Sequence, residues 1–367
     1  MDKIPQVFPW VGAEELSNIT KVIENNWLTE GPFCKEFSDR LNAMIGCRYG
    51  VFAPNGTLAL FLGLLALGIG PGDEVIVPDC TFIGSANAVI LTGAKPVFAD
   101  VSRETFQIDM KNAEGLITGK TRAIMPVHLF GMSSDMKAVM DVAGRHGIKV
   151  IEDAAQGIGV TYEGKHTGSF GDVGCFSFFA DKTITIGEGG YVVTGDEKIY
   201  ENLLYLRNQG RLDRGSFIHP AIGYNFRITD IQAAIGLAQL EKLPVIIKRK
   251  LEIYRLYREG LDGISEVTFP GVEKGSNHVP FRVVILVPDA GKLMEYLDKR
   301  VVQTRSFFYP LHRQPCFKNG GSAGYDGAGL VNSVYGYDHG LCLPIYPSLS
   351  EADIRRICGR IREFYGE

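Results

Sequence analysis

The sequence predicts an α/β fold: a large domain built on a mainly parallel sheet, followed by a smaller C-terminal α+β domain. Three observations predict it. Between residues 49 and 153, short apolar runs alternate with helical stretches, the pattern of a parallel sheet covered on both faces. The chain has 367 residues, 45% of them hydrophobic, which is enough for one large core and a second, smaller one. Past Pro244 the order changes to helix, strand, helix, strand, helix, so the domains are expected to be 1–243 and 244–367.

Residues 13–45 read as two helices parted by Asn26-Trp27-Leu28-Thr29-Glu30-Gly31-Pro32. That break is rich in residues that end helices and in groups able to touch a ligand. Tyr49–Ala53 is a short strand, and Pro54-Asn55-Gly56-Thr57 leads from it into an apolar helix. Asn55 or Thr57 can cap that helix, and Gly56 lets an anion approach its free N–H groups. Capping alone also accounts for Thr57. Further strands read at 74–78, 95–100, 123–128 and 149–153, with helices around 84–92, 110–118 and 134–146. Thr57, Asp79, Asp100, His128 and Asp153 stand at the strands' carboxyl ends, where ligands of such sheets sit.

Farther on, a helix carrying Leu203, Leu204 and Leu206 precedes a turn-rich loop, 207–224, with Arg207, Arg211, Arg214 and His219. Gly223-Tyr-Asn-Phe-Arg227 then opens an amphipathic helix, Asp230 to Lys242. The smaller domain reads as helix 246–263, strand 281–287, helix 290–299, a strand-like 304–308 and a final helix from Ser350. Arg355, Arg356, Arg360 and Arg362 alternate with isoleucines on that last helix and form its wet face.

Bulk properties exclude several classes of function. A net charge of −4 offers no basic surface for nucleic acid or anionic membrane. The seven cysteines are scattered, without a CxxC pair, so neither a disulfide framework nor a metal site is expected. The N-terminal residues lack the apolar core of a signal peptide, and the longest apolar run, 58–67, is too short to span a bilayer. A cytoplasmic setting is the expectation. GxGxxG is absent after the first strand, which argues against a dinucleotide site.

Chemistry centres on residues 174–190, GCFSFFADKTITIGEGG. Lys182 lies between two strand-like runs and is followed by glycines that admit close backbone approach, the setting of a fixed, partly desolvated nucleophilic amine. A solvated lysine on a hairpin is the plain alternative. A cofactor with a phosphate, a ring nitrogen and an aldehyde needs an anion cradle, an aromatic stack, a carboxylate and a lysine. Gly56, Thr57 and Ser177 can supply the cradle, Phe82 the stack, Asp153 the carboxylate and Lys182 the amine. The ordered set points to pyridoxal 5'-phosphate.

The stretches NGTLAL, VPDCTFIGSANAVILTGAKPVFADV, IMPVHLFG, VIEDAAQGIG, SFFADKTITIGEGG and GYNFRITDIQAAIGLAQLE resemble the DegT/StrS family of sugar-nucleotide aminotransferases. The resemblance runs from residue 27 to residue 354. Within the family, the KTIT-GEGG form of the lysine segment is similar to the GDP-perosamine synthase branch, which aminates 4-keto sugars. The resemblance implies a fold-type I, aspartate-aminotransferase-like protein with a seven-stranded sheet, acting as a homodimer with shared sites. It makes Lys182 the Schiff-base lysine and Asp153 the partner of the pyridine nitrogen. Gln156 would lie by the ring hydroxyl and Phe82 on the ring face. Gly56, Thr57 and Ser177 would hold the phosphate, with Asn225 reaching it from the neighbouring subunit.

The implied reaction takes the amino group of L-glutamate, passes through pyridoxamine 5'-phosphate and delivers it to a nucleotide-linked keto sugar. Trp27, Thr29, Glu30 and His312 are candidate sugar contacts, and Arg211 and Arg227 candidates for diphosphate or carboxylate. A 3-keto sugar or an amino-cyclitol is the alternative acceptor. A dehydratase relative would carry histidine in place of Lys182. A non-catalytic cofactor-binding regulator would have lost Lys182 or Asp153, or gained a basic segment.

Overall fold

The computed structural model describes residues 3–211, 215, 217–319 and 329–366. Its main sheet contains β1 (Tyr49–Ala53), β2 (Glu74–Pro78), β3 (Lys95–Ala99), β4 (Thr121–Ile124) and β5 (Lys149–Asp153). A separate hairpin, β6 (Thr161–Tyr162) with β7 (Lys165–His166), interrupts the run before β8 (Val173–Ser177) and β9 (Gly190–Thr194) complete it. The seven strands lie in the order β1-β9-β8-β5-β4-β2-β3. Only β9 runs against its neighbours, so the sheet is mainly parallel, as expected.

Strand alternation divides the core. Val75, Val77, Ile151, Val173 and Val192 face α3 (Gly56–Ala66) and α4 (Gly84–Leu91), whereas Ile76, Ile124 and Val150 face the opposite layer. Both faces of the sheet are therefore covered by helices. With α1 (Ala13–Glu24) and α2 (Pro32–Ile45) before the sheet, α5 (Met110–Gly115), α6 (Met136–His146) and α7 (Glu197–Arg207) complete the helices up to residue 207.

The sequence reading ends a helix at Lys242 and starts another after Pro244. Instead, α8 (Asp230–Gly260) runs unbroken for 31 residues with Pro244 inside it. The missing backbone hydrogen bond costs about 3 kcal/mol. Burial offsets it: Leu237, Leu240, Leu243 and Ile246 pack on the main sheet's core, and Ile253 and Tyr257 on the next one.

That second core surrounds a small antiparallel sheet of β10 (Val283–Leu286), β11 (Arg305–Ser306) and β12 (Gly340–Leu343), in the order β10-β12-β11. The helices α9 (Ala290–Asp298), α10 (Pro315–Asn319), α11 (Val331–His339) and α12 (Glu351–Tyr365) complete the chain. Val283, Ile285, Leu293, Ile357 and Ile361 fill the core, and Ile4 joins it from the N-terminal segment. No described helix is long and apolar enough to cross a membrane.

Candidate active site

A cavity of about 630 Å³ opens beyond the carboxyl ends of β1, β2, β5 and β8, walled on its far side by Phe281, Arg282, Arg305 and Phe308 near the small sheet. Each wall follows from a local rule. β1 gives way to Asn55, whose side chain accepts the Leu58 N–H at 3.0 Å and fixes the start of α3. The Gly56 and Thr57 N–H groups, in the first turn, have no acceptor within the helix, and they border the cavity. A Cβ at Gly56 would stand 2.8 Å from the Ser177 Cβ, so only glycine lets β8 and α3 close into one cradle. Its donors and the helix dipole suit a phosphate.

Asp153 ends β5 and is 5% exposed. Its Oδ2 accepts the Ser85 hydroxyl at 2.7 Å and its Oδ1 the Ala155 N–H at 3.1 Å. Both donors are neutral, and among the described residues no cation is within salt-bridge distance of the carboxylate. A buried anion that faces a cavity with neutral donors only is suited to a cationic ring nitrogen. Gln156 lines the cavity too, its Oε1 accepting the Phe130 N–H at 2.7 Å. That bond holds Phe130 in a left-handed conformation at φ 58°. Phe82, 60% exposed, stands at the cavity rim just before α4.

Lys182 follows β8 in a tight turn, its N–H bonded to the Phe179 carbonyl at 2.9 Å, and its Nζ lies 4.7 Å from the centre of the Phe281 ring. Burial pushes the amine below the usual lysine range, with Arg282 and Arg305 acting in the same sense and Asp181 and Asp153 opposing. A larger share of it is therefore neutral near pH 7 than for an exposed lysine.

Sequence reading missed the cluster beside that lysine. Asp181, given no role from the sequence, is partly buried and pairs with Arg282, and also with Arg305 at 3.1 Å. Burial alone would raise its carboxyl; Arg282, Lys182 and Arg305 together hold it below the usual carboxylate range. Ser85, the donor to Asp153, was missed as well.

The remaining candidates do not line this cavity within one chain. The Trp27 indole N–H donates to the Glu30 carbonyl at 3.1 Å, and Thr29 is exposed in the same loop. Glu30 forms an ion pair with Arg207. Arg211 lies over Phe217, and Arg214 is outside the described residues. Asn225 is exposed and accepts the Arg227 Nε–H at 2.7 Å. His312, expected at the sugar, is buried instead, its Nδ1 2.7 Å from the Asp79 carboxylate, which also holds Ser333. Asp79 and Asp100 thus serve as anchors: Asp100 accepts the Asn332 and Ser333 N–H groups and caps α11.

The loop at 27–31 is fixed by Asp230, whose carboxylate accepts the Gly31 and Cys34 N–H groups at 2.9 and 2.8 Å. It thereby caps α2, whose own N-cap is glycine and has no side chain to do so. Asp230→Ala is expected to lower the unfolding free energy by about 2–3 kcal/mol, read from urea denaturation, because buried N–H groups lose a charged acceptor.

No described group of histidine, cysteine and carboxylate side chains could hold a metal ion. Over its full length the chain is 39% identical to the whole of a GDP-perosamine synthase from Escherichia coli O157:H7. It is 37% identical to a UDP-N-acetyl-3-dehydro-alpha-D-glucosamine 3-aminotransferase from Acidithiobacillus ferrooxidans, covering 95% of this chain and 93% of that one. Spr1654 from Streptococcus pneumoniae, solved in PLP and PMP forms, superposes with TM-scores of 0.93 and 0.92 at 26% identity, over 98% of each chain. Residues 9–362 match the DegT/DnrJ/EryC1/StrS aminotransferase family, and the chain belongs to it.

Proposed function

We propose that this aminotransferase uses pyridoxal 5'-phosphate to move the amino group of L-glutamate to C4 of a nucleotide-linked 4-keto-6-deoxy sugar, for surface polysaccharide. The observation that carries the reading is one cavity joining the Lys182 amine, the buried Asp153 carboxylate and the Gly56–Thr57–Ser177 cradle. The full-length identity to a GDP-perosamine synthase supports the choice of acceptor. When bound, the cofactor supplies an aldehyde that takes up the amino group and a ring that withdraws electrons from the neighbouring carbon.

The chain's own residues do the rest. Gly56, Thr57 and Ser177 would hold the phosphate and Phe82 would cover the ring. Asp153 would keep the ring nitrogen charged, and Gln156 would lie by the ring hydroxyl. Lys182 would hold the aldehyde, and its neutral amine would carry the proton to and from the substrate carbon. Arg305, about half exposed on the cavity wall, offers a guanidinium to the donor's carboxylate.

A homodimer with shared sites fits the positions of Asn225, Arg227 and Arg211. These polar groups lie outside the lining of the Lys182 cavity in their own chain, and in a dimer they would complete the partner's site with Trp27, Thr29 and Glu30. In this reading residues 1–243 hold the cofactor, 244–367 close over it, α8 ties the two together, and the enzyme works in the cytoplasm. The identity to a 3-aminotransferase favours a second reading, the same chemistry on a 3-keto sugar nucleotide.

The test is the absorption spectrum of the protein with pyridoxal 5'-phosphate. L-Glutamate is expected to replace the pyridoxal band by that of pyridoxamine, and the correct keto sugar to restore it. A spectrum unmoved by glutamate overturns the donor; restoration by 3-keto and not 4-keto sugar nucleotides overturns the acceptor.

A further inference from the structure

Behind Lys182, on the side away from the main cavity, lies a second chamber of about 20 Å³, room for one water molecule. Asp181 and Lys182 line both chambers. The rear one is lined by Trp10, Gln239, Tyr346 and a second amine, that of Lys250 on α8. Lys250 is 4% exposed, far less than lysine usually tolerates. Its amine has no hydrogen-bond or ion-pair partner among the described residues. Its Nζ lies 5.7 Å from the centre of Phe281, the ring that also carries Lys182 at 4.7 Å and the Arg282 guanidinium at 4.3 Å.

Among the described residues, the charged groups that act on Lys250 belong to this cluster: Asp181 and Lys182 from the turn after β8, and Arg282 from the segment entering β10. Asp181 is already engaged by two arginines. Two carboxylates thus face two guanidiniums and two amines, and Asp153 acts on Lys182 but not on Lys250, which leaves too few anions for all four to be charged.

We propose that Lys250 is a positioning residue for Lys182: the two amines, on one ring and one water-sized chamber, hold no more than one proton between them. This rests on reading Lys182 as the reacting amine. A proton on Lys250 repels one on Lys182 and leaves the front amine with its lone pair, the form that attacks and that accepts a proton. Burial pushes the Lys250 amine down to about 7, with Arg282 and Lys182 acting in the same sense and Asp181 opposing, so it gains and loses its proton in the range where the enzyme would work. In an ordinary helical position this lysine would be a surface group.

The experiment uses the full chain without cofactor. Trace acetylation with isotopically labelled acetic anhydride over a pH series, read by peptide mass spectrometry, gives the midpoint of each lysine separately. Lys250→Met keeps the length and removes the charge, and is expected to raise the Lys182 midpoint by about one pH unit. Lys250→Arg makes the charge permanent and is expected to lower it. Lys248→Met, exposed on the same helix, is expected to leave it unchanged.

A Lys182 midpoint that is the same in all three variants, or that moves equally for methionine and arginine, overturns the proposal, the second result marking a packing role alone. If the methionine variant does not fold, the arginine variant decides, since a midpoint at or above the wild-type value is fatal. Labelling needs neither cofactor nor substrate, so its failure leaves the transaminase reading intact.

Discussion

Lys182→Ala is expected to slow transamination by about 10⁴-fold at saturating cofactor and glutamate, the upper range for loss of a general acid–base group. No other residue on the cavity wall can take over. Asp153 is fixed by Ser85 and Ala155, and Asp181 by two arginines. Arg282 and Arg305 are guanidiniums, donors with no acceptor atom, and both are paired with Asp181. Glu188 lines the same cavity but is exposed.

Lys182→Arg separates charge from proton transfer. It retains a cation and cannot act as a base, so it should fail as completely as alanine. Single-turnover conversion of L-glutamate to 2-oxoglutarate reads both, and an arginine variant within tenfold of wild type would remove Lys182 from the proton path. The pH profile carries a sign as well. The amine works when neutral, and burial lowers its pKa, so the rate should persist toward neutrality and fall as pH drops through the lowered value. An amine at the ordinary lysine value of about 10.4 would have only about one part in a thousand neutral at pH 7.4.

What the sequence makes legible is what lies close along the chain. The strands show through their apolar runs, and Gly56, Thr57, Asp153, Ser177 and Lys182 show because each ends a strand or opens a turn or helix. Pairings across the fold leave no such trace. Arg282 and Arg305 meet Asp181 over 101 and 124 residues, and Asp230 caps α2 from 196 residues away. Nothing in the stretches around either arginine distinguishes a cavity wall from a wet edge strand. His312 illustrates the reverse error: a histidine beside a tyrosine and a proline reads as a loop ligand, yet its ring is fixed by a strand-end aspartate 233 residues earlier. Pro244 shows a local rule overridden, because the helix around it is held by two cores at once.

Asp153→Asn is expected to cost about 10²- to 10³-fold in kcat, with weaker cofactor binding, for a reason separate from that of Lys182. The substitution keeps the size and the Ser85 contact, since a hydroxyl can turn to donate or accept. It removes a full negative charge from a site 5% exposed, where a charged partner counts far more than it would in water. An amide also has one oxygen to offer where the carboxylate has two, so either the Ala155 N–H or the ring nitrogen loses an acceptor. With the nitrogen no longer held in its charged form, the ring is a weaker sink for electrons from the substrate carbon, and the proton that Lys182 must remove becomes less acidic. The loss should therefore appear in the deprotonation step, as a larger substrate isotope effect with α-deuterated glutamate, and not only in cofactor affinity. Titrating the cofactor spectroscopically and measuring kcat at saturation separates the two. A variant that binds weakly but turns over at the wild-type rate once saturated would make Asp153 an anchor for the cofactor and nothing more.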